Sequence, residues 1–161
     1  MSLPAALSNG ITWWASAYSD HRVLAVSVRF LHIAALVVGG GTALAMDARI
    51  LRAASSGADV RLQALAALAS AHRVVVPALA LVVTTGVMMT AADTSTFFAS
   101  PVYWTKLALV ALLLVNGYGL FVAERLARRG HAWKRLAMGS AASLVLWFVT
   151  LFVGTLLTAA A

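Results

Sequence analysis

Hydrophobic positions in this chain do not alternate with polar ones. They run on, in four uncharged stretches at 30–46, 74–92, 107–123 and 136–161. Each is near the roughly 20 apolar residues that a helix needs to cross a hydrocarbon layer about 30 Å thick. The pattern predicts an all-α integral membrane protein, one domain folded as an antiparallel four-helix bundle, because short connections make consecutive spans antiparallel. The expected spans are 22–53, 60–92, 102–128 and 133–158. Residues 1–20 lack the basic start of a secretory leader and read as an interfacial segment, with Trp13, Trp14 and Tyr18 at headgroup depth.

Local punctuation sets these boundaries. Asp20 is placed to cap the first span, and Ser55-Ser56-Gly57 to end it. Asp59 is placed to cap the second span, whose Ala- and Leu-rich start lies outside the hydrocarbon. Pro77 inside that span predicts a kink, since it removes an amide donor and its ring clashes with the preceding turn. The connection 93–101 is short and polar, Pro101 suits the first turn of the third span, and Gly130 ends it. Gly39-Gly40-Gly41, Gly86, Gly117, Gly119, Gly139 and Gly154 allow helices to approach closely in lipid.

Composition agrees, and charge adds a direction. At 62% hydrophobic and 11% charged residues there is too little polar surface to coat a soluble globule. The net charge of +7 does not form a stripe or tail for nucleic acid, so the bilayer is the expected partner of the cations. Arg49, Arg52 and Arg61 lie in the first connection, and Arg125, Arg128, Arg129, Lys134 and Arg135 in the third. The positive-inside rule makes both connections cytoplasmic and puts both termini on the outer, periplasmic side of a bacterial inner membrane. With no cysteine, any metal must be held by His, Met or oxygen ligands.

Four polar groups within the expected spans carry the functional argument: His32, His72, Arg73 and Lys106. Counted from the expected cytoplasmic ends, His32 is about 22 residues up and Lys106 about 20, which places them about 3 Å apart in height. His72, about 13 up, and Asn116, about 10 up, form with Arg73 an inner layer facing the triple glycine. His32 and His72 are then about nine residues, roughly 13 Å, apart, too far for one haem to bridge both. Two single-ligand sites, or one haem with a different second ligand, fit better. Each group also has a plainer reading: His32 as a neutral imidazole bonded to a neighbouring helix, Lys106 snorkelling beside Trp104, His72 and Arg73 meeting lipid phosphates. Asp20, Asp47, Asp59, Asp93 and Glu124 are all expected at helix ends, leaving no acidic relay in the hydrocarbon. No hydrolytic motif is present, so an enzyme here would borrow its reactivity from a cofactor.

The segment Arg29-Phe30-Leu31-His32-Ile33-Ala34, followed by the triple glycine and Asp47-Ala48-Arg49-Ile50-Leu51, precedes Tyr103-Trp104-Thr105-Lys106-Leu107 at the start of the third span. Over about residues 25–155 this resembles a bacterial superfamily of small membrane bundles. It includes copper-resistance D-type domains and the haem-containing membrane protoporphyrinogen oxidases. The resemblance implies that a histidine in the first span and a lysine opening the third, here His32 and Lys106, are the functional pair. The chain departs from the oxidases where they carry a Tyr-His pair, here Asn116-Gly117, and where their first span ends in an Arg-Pro signature, here Asp47-Ala48-Arg49. It therefore implies haem binding rather than that particular reaction.

Three readings follow. The first is a redox protein or subunit binding haem b, with His32 as axial metal ligand and Lys106 as catalytic group. Arg29 or Arg73 would pair with propionates, and His72 and Asn116 would line the cofactor. The second is a copper-handling permease using His32, Met46 or Met88. The third is a non-catalytic subunit that forms a homo-oligomer or docks on a larger membrane complex through its small-residue faces.

Overall fold

The computed structural model describes the backbone of residues 5–160, with side-chain surroundings for 8–157. Six helices follow in order: α1 (Ala5–Asp20), α2 (Arg22–Ala53), α3 (Ala58–Ala92), α4 (Thr94–Ala99), α5 (Pro101–Arg128) and α6 (Trp133–Ala160). No strand occurs among the described residues. Helices α2, α3, α5 and the stretch Trp133–Leu157 of α6 are each long and apolar enough to cross a membrane. They coincide with the four expected spans to within about two residues.

Helix ends are decided by local chemistry, not always by the residues expected. Asp20 does not cap α2: its carboxylate accepts hydrogen bonds from Ser16 (3.2 Å) and Ser19 (3.3 Å), and the break falls at His21, which makes no side-chain cap. Gly57 occupies the cap position before α3, and Asp59 sits in the first turn, where its charge complements the helix dipole. Helix α3 continues through Pro77 without interruption. The connection after it folds into α4, whose cap Asp93 accepts from the Thr96 amide at 3.1 Å. Ser100 caps α5 with Pro101 in its first turn, and Gly130, at φ 81°, ends the same helix in a left-handed conformation suited to glycine.

One feature inside α2 has no counterpart in the sequence reading. Residues Leu36–Gly40 form a π-helical turn between α-helical Arg22–Ala35 and Gly41–Ala53. The turn lies where the helix touches two neighbours at once. A Cβ at Gly39 would stand 2.6 Å from Ala78 Cβ of α3, and one at Gly40 would stand 3.0 Å from the Trp147 ring of α6. Two glycines thus let three helices converge, while Gly41 faces open space.

Helix α2 packs against α3 and α6, and α6 against α5. Helices α3 and α5 approach little along their length and are linked by side chains at their two ends. At the end holding the 54–57 and 129–132 connections, called here the basic end, Ile50, Ala53, Ala64, Leu65, Ala123, Ala127 and Leu136 form the densest core. At the opposite, terminal end, Trp14 of α1 donates its indole N–H to the Met88 carbonyl at 2.7 Å. Most large apolar side chains on the four long helices, among them Phe30, Val76, Val115, Phe148 and Phe152, face outward. Such a surface is suited to lipid and not to water.

Candidate functional site

His32 lies in α2, one turn beyond the exposed Arg29 and two turns before the glycine contact. Its Nδ1 is 2.8 Å from Thr85 Oγ1 on α3. Thr85 is 2% exposed, and its single hydroxyl hydrogen is directed at the carbonyls of Leu81 (2.6 Å) and Val82 (3.2 Å). The oxygen can therefore only accept from the imidazole, and the Val82 carbonyl faces the ring as well. That arrangement favours the tautomer with the ring proton on Nδ1 and a lone pair on Nε2. That tautomer is the one a metal-binding histidine uses when a second group orients it. Gly86 adjoins the ring edge: a Cβ there would make ordinary van der Waals contact with His32 Cε1, at 3.5 Å.

Lys106 opens α5 one turn after Tyr103, whose hydroxyl donates to Thr90 of α3 at 3.2 Å. The lysine is half-buried. Its Cε and Nζ would lie in ordinary van der Waals contact, 3.7 Å, with a Cβ built on Gly154, which puts the ammonium group against α6. No carboxylate pairs with Lys106 among the described residues. His32, Thr85, Lys106 and Gly154 thus put one residue from each long helix into a single layer near the terminal end. Its chemistry is a nitrogen ligand and an unpaired cation at one level of the bundle. An anionic cofactor edge or a carboxylate substrate complements both.

The expected inner layer is assembled differently. The 32/85 and 39/78 contacts fix the register of α2 against α3, and they put His72 about 13 residues, or roughly 20 Å, from the level of His32. The wider gap further separates the two histidines. Asn116 does not meet His72: its amide donates to the Gly139 carbonyl of α6 at 3.1 Å. His72 instead stands 3.7 Å from Glu124 of α5 and edge-on to Phe121. Arg128 donates to Glu124 Oε1 through Nη2 (2.7 Å) and Nε (3.1 Å) and reaches the Leu65 carbonyl at 2.6 Å. Arg73 and Arg29 are exposed.

Two carboxylates assigned to helix ends are in fact enclosed between helices. Glu124 is 5% exposed within that ion pair, and Asp47 is 4% exposed, facing Ser140 and Ser143 of α6. The sequence carried a faint sign of the first, since Glu124 and Arg128 have the i, i+4 spacing of a helix pair. Thr85 and Gly154, which complete the His32 layer, had none beyond their type. No group of three or more His, Cys, Asp and Glu that would hold a metal ion occurs among the described residues. No known protein family, curated protein or solved structure matches this chain.

Proposed function

We propose that the chain is a membrane haem-binding protein, a redox protein or a subunit of one, in which His32 is the axial ligand. The observation that carries this reading is the fixed imidazole: Nδ1 is held by Thr85 at 2.8 Å and Nε2 is free to bind iron. When bound, haem supplies a redox-active iron whose potential follows its axial ligand and the polarity around it. Thr85 orients the ring, and Lys106 supplies a positive charge for a propionate or a substrate carboxylate. Arg29, one turn from His32 and exposed, suits a second propionate. With His72 about 20 Å away, only one of the two histidines would hold a given haem. A single-histidine site suits substrate chemistry better than simple electron transfer, and Lys106 is the group poised to bind or protonate that substrate.

By the positive-inside rule the basic end is cytoplasmic, so the His32 layer lies toward the periplasmic side of a bacterial inner membrane, with both termini on that side. The test is an absorbance spectrum of the purified full chain supplied with haem. A Soret band that is lost in His32→Ala, and retained at lower intensity in Lys106→Met, is the expected result. Absence of any such band in the wild type would end the haem reading.

A second reading, an accessory subunit, is favoured by Gly117 and Gly119. Both leave open space on the outside of α5, where another helix can approach. It predicts a partner that remains bound in mild detergent and is released by Gly117→Leu.

A further inference from the structure

We propose that a cavity between the two connections of the basic end binds the phosphate headgroup of an anionic phospholipid. Such a ligand requires the membrane placement proposed above, but not haem. The cavity has a volume of about 560 Å³, and its walls include Ala54, Arg61, Ala132, Trp133, Lys134 and Arg135. Ala54 follows the end of α2 and Ala132 precedes the start of α6, so the cavity lies where helices leave the apolar layer. Three of the lining residues are cationic, and none is a carboxylate. Lys134 and Arg135 are exposed and make no ion pair among the described residues. Arg61 is held in place by the protein itself. It donates through Nε to the Ala53 carbonyl (3.4 Å) and through Nη2 to the Ala54 carbonyl (2.7 Å), and its guanidinium carbon lies 5.3 Å from the centre of the Trp133 ring. Those bonds leave Nη1 available to a further acceptor. Ala132, at φ 63°, stands before the first turn of α6 and has no side-chain oxygen to cap it, so the positive end of the helix dipole adds to the three side chains.

Position favours a lipid over a dissolved anion. With α2, α3 and α6 crossing a bilayer, the cavity stands at headgroup depth, where basic pockets between helices meet lipid phosphates. Trp133 is of the type that sits at that depth. Lys134 and Met138 share a face of α6 one turn apart, and Met138 is 72% exposed. Val145, two turns further on, is 63% exposed. An apolar strip thus leads from the cavity along α6, and the acyl chains of the same lipid can lie on it. The volume falls within the range of about 300–1,000 Å³ usual for small-molecule sites, which is ample for a glycerophosphate group.

The experiment adds phosphatidylglycerol, phosphatidylcholine or inorganic phosphate to the full chain in a mild non-ionic detergent. Native mass spectrometry reads the affinity for the first bound lipid, and the thermal midpoint reads all three ligands, since whatever binds only the folded state raises it. Phosphatidylglycerol is expected to bind more tightly than phosphatidylcholine, whose choline group cancels the phosphate charge, and to raise the midpoint more than inorganic phosphate does at the same concentration. In Lys134→Gln/Arg135→Gln the affinity for phosphatidylglycerol should fall about tenfold. Arg49→Gln/Arg52→Gln removes the same charge from exposed positions at the same end, outside the cavity, and should retain most of that affinity. Equal losses in the two double variants would reduce the effect to diffuse surface charge and overturn the site. Equal affinity for the two lipids, or an equal response to inorganic phosphate, would overturn it as well. Should the Lys134 and Arg135 double variant fail to fold, unchanged affinity in Lys134→Gln and in Arg135→Gln would do the same. A chain that prefers phosphatidylglycerol in this way yet shows no Soret band with haem would keep the lipid site and lose the haem reading.

Discussion

Thr85 holds the Nδ1 edge of His32 from a neighbouring helix, 2.8 Å away, while giving its own hydrogen to the turn that precedes it. This relay ties the orientation of an imidazole in α2 to the backbone of α3. Thr85→Val keeps the shape and removes the acceptor, so the ring loses its anchor and its preference for the Nδ1–H tautomer. Loss of such an orienting partner typically costs about 10–100-fold in metal affinity. Haem titration of the purified variant should show a drop in that range, with Thr85→Ser restoring most of it. Unchanged affinity in Thr85→Val would mean that His32 is oriented by something else.

The convergence of three helices at Gly39 and Gly40 should be sensitive to added volume. A Cβ at position 39 meets Ala78 Cβ at 2.6 Å, and neither helix backbone can yield without moving the other. Gly39→Ala is expected to destabilise by about 1–3 kcal/mol, the usual cost of overfilling a tight contact. Gly41→Ala, two residues on and in open space, should be near neutral. Denaturation of the two variants in bicelles checks the contrast, and equal effects would remove the close approach as its cause.

The four long apolar helices are legible in the sequence because apolar length is a local property, and counting residues along two of them sets His32 and Lys106 at a similar height. What could not be read is everything that depends on how one helix slides past another. The inner count set Gly41 opposite His72, whereas Gly39 meets Ala78, a displacement of about one helical turn. Asn116 reaches Gly139 and His72 reaches Glu124, pairings set by how α5 sits against α6 and α3. Thr85 was invisible for a different reason. A threonine in an apolar helix satisfies itself on the preceding turn, and nothing local announces that its oxygen also receives a bond from elsewhere.

The enclosed ion pair at the basic end makes an asymmetric prediction. Arg128→Ala leaves Glu124 buried with only the half-exposed His72 nearby, whereas Glu124→Gln leaves a partly exposed arginine that can turn to solvent or to a phosphate. Removing the arginine should therefore cost more. The 3–5 kcal/mol typical of breaking fully buried pairs is an upper bound, since Arg128 is partly exposed, and about 1–3 kcal/mol is expected for Arg128→Ala. A double-mutant cycle on unfolding free energy measures the coupling, and a larger loss for Glu124→Gln would contradict this order.

Between the long helices α3 and α5, Asp93 gives a pH dependence whose sign follows from its bonds. Hydrogen bonds from Thr96, with a further one from Ser95, hold its carboxyl below the usual carboxylate range. The folded pKa is thus lower than the unfolded one. The cap stabilises α4 fully above the unfolded value, and its contribution is lost as the pH falls through the folded one. Hydrogen exchange at the Thr96 amide should quicken in acid, and only there, as the protonated carboxyl gives up the backbone bond. In Asp93→Ala the same amide should exchange fast at every pH, apart from the intrinsic acceleration by base. In Asp93→Asn, whose side-chain oxygen still caps but does not titrate over this range, protection should persist into acid. An acid-sensitive Thr96 in the asparagine variant would assign the transition to another group.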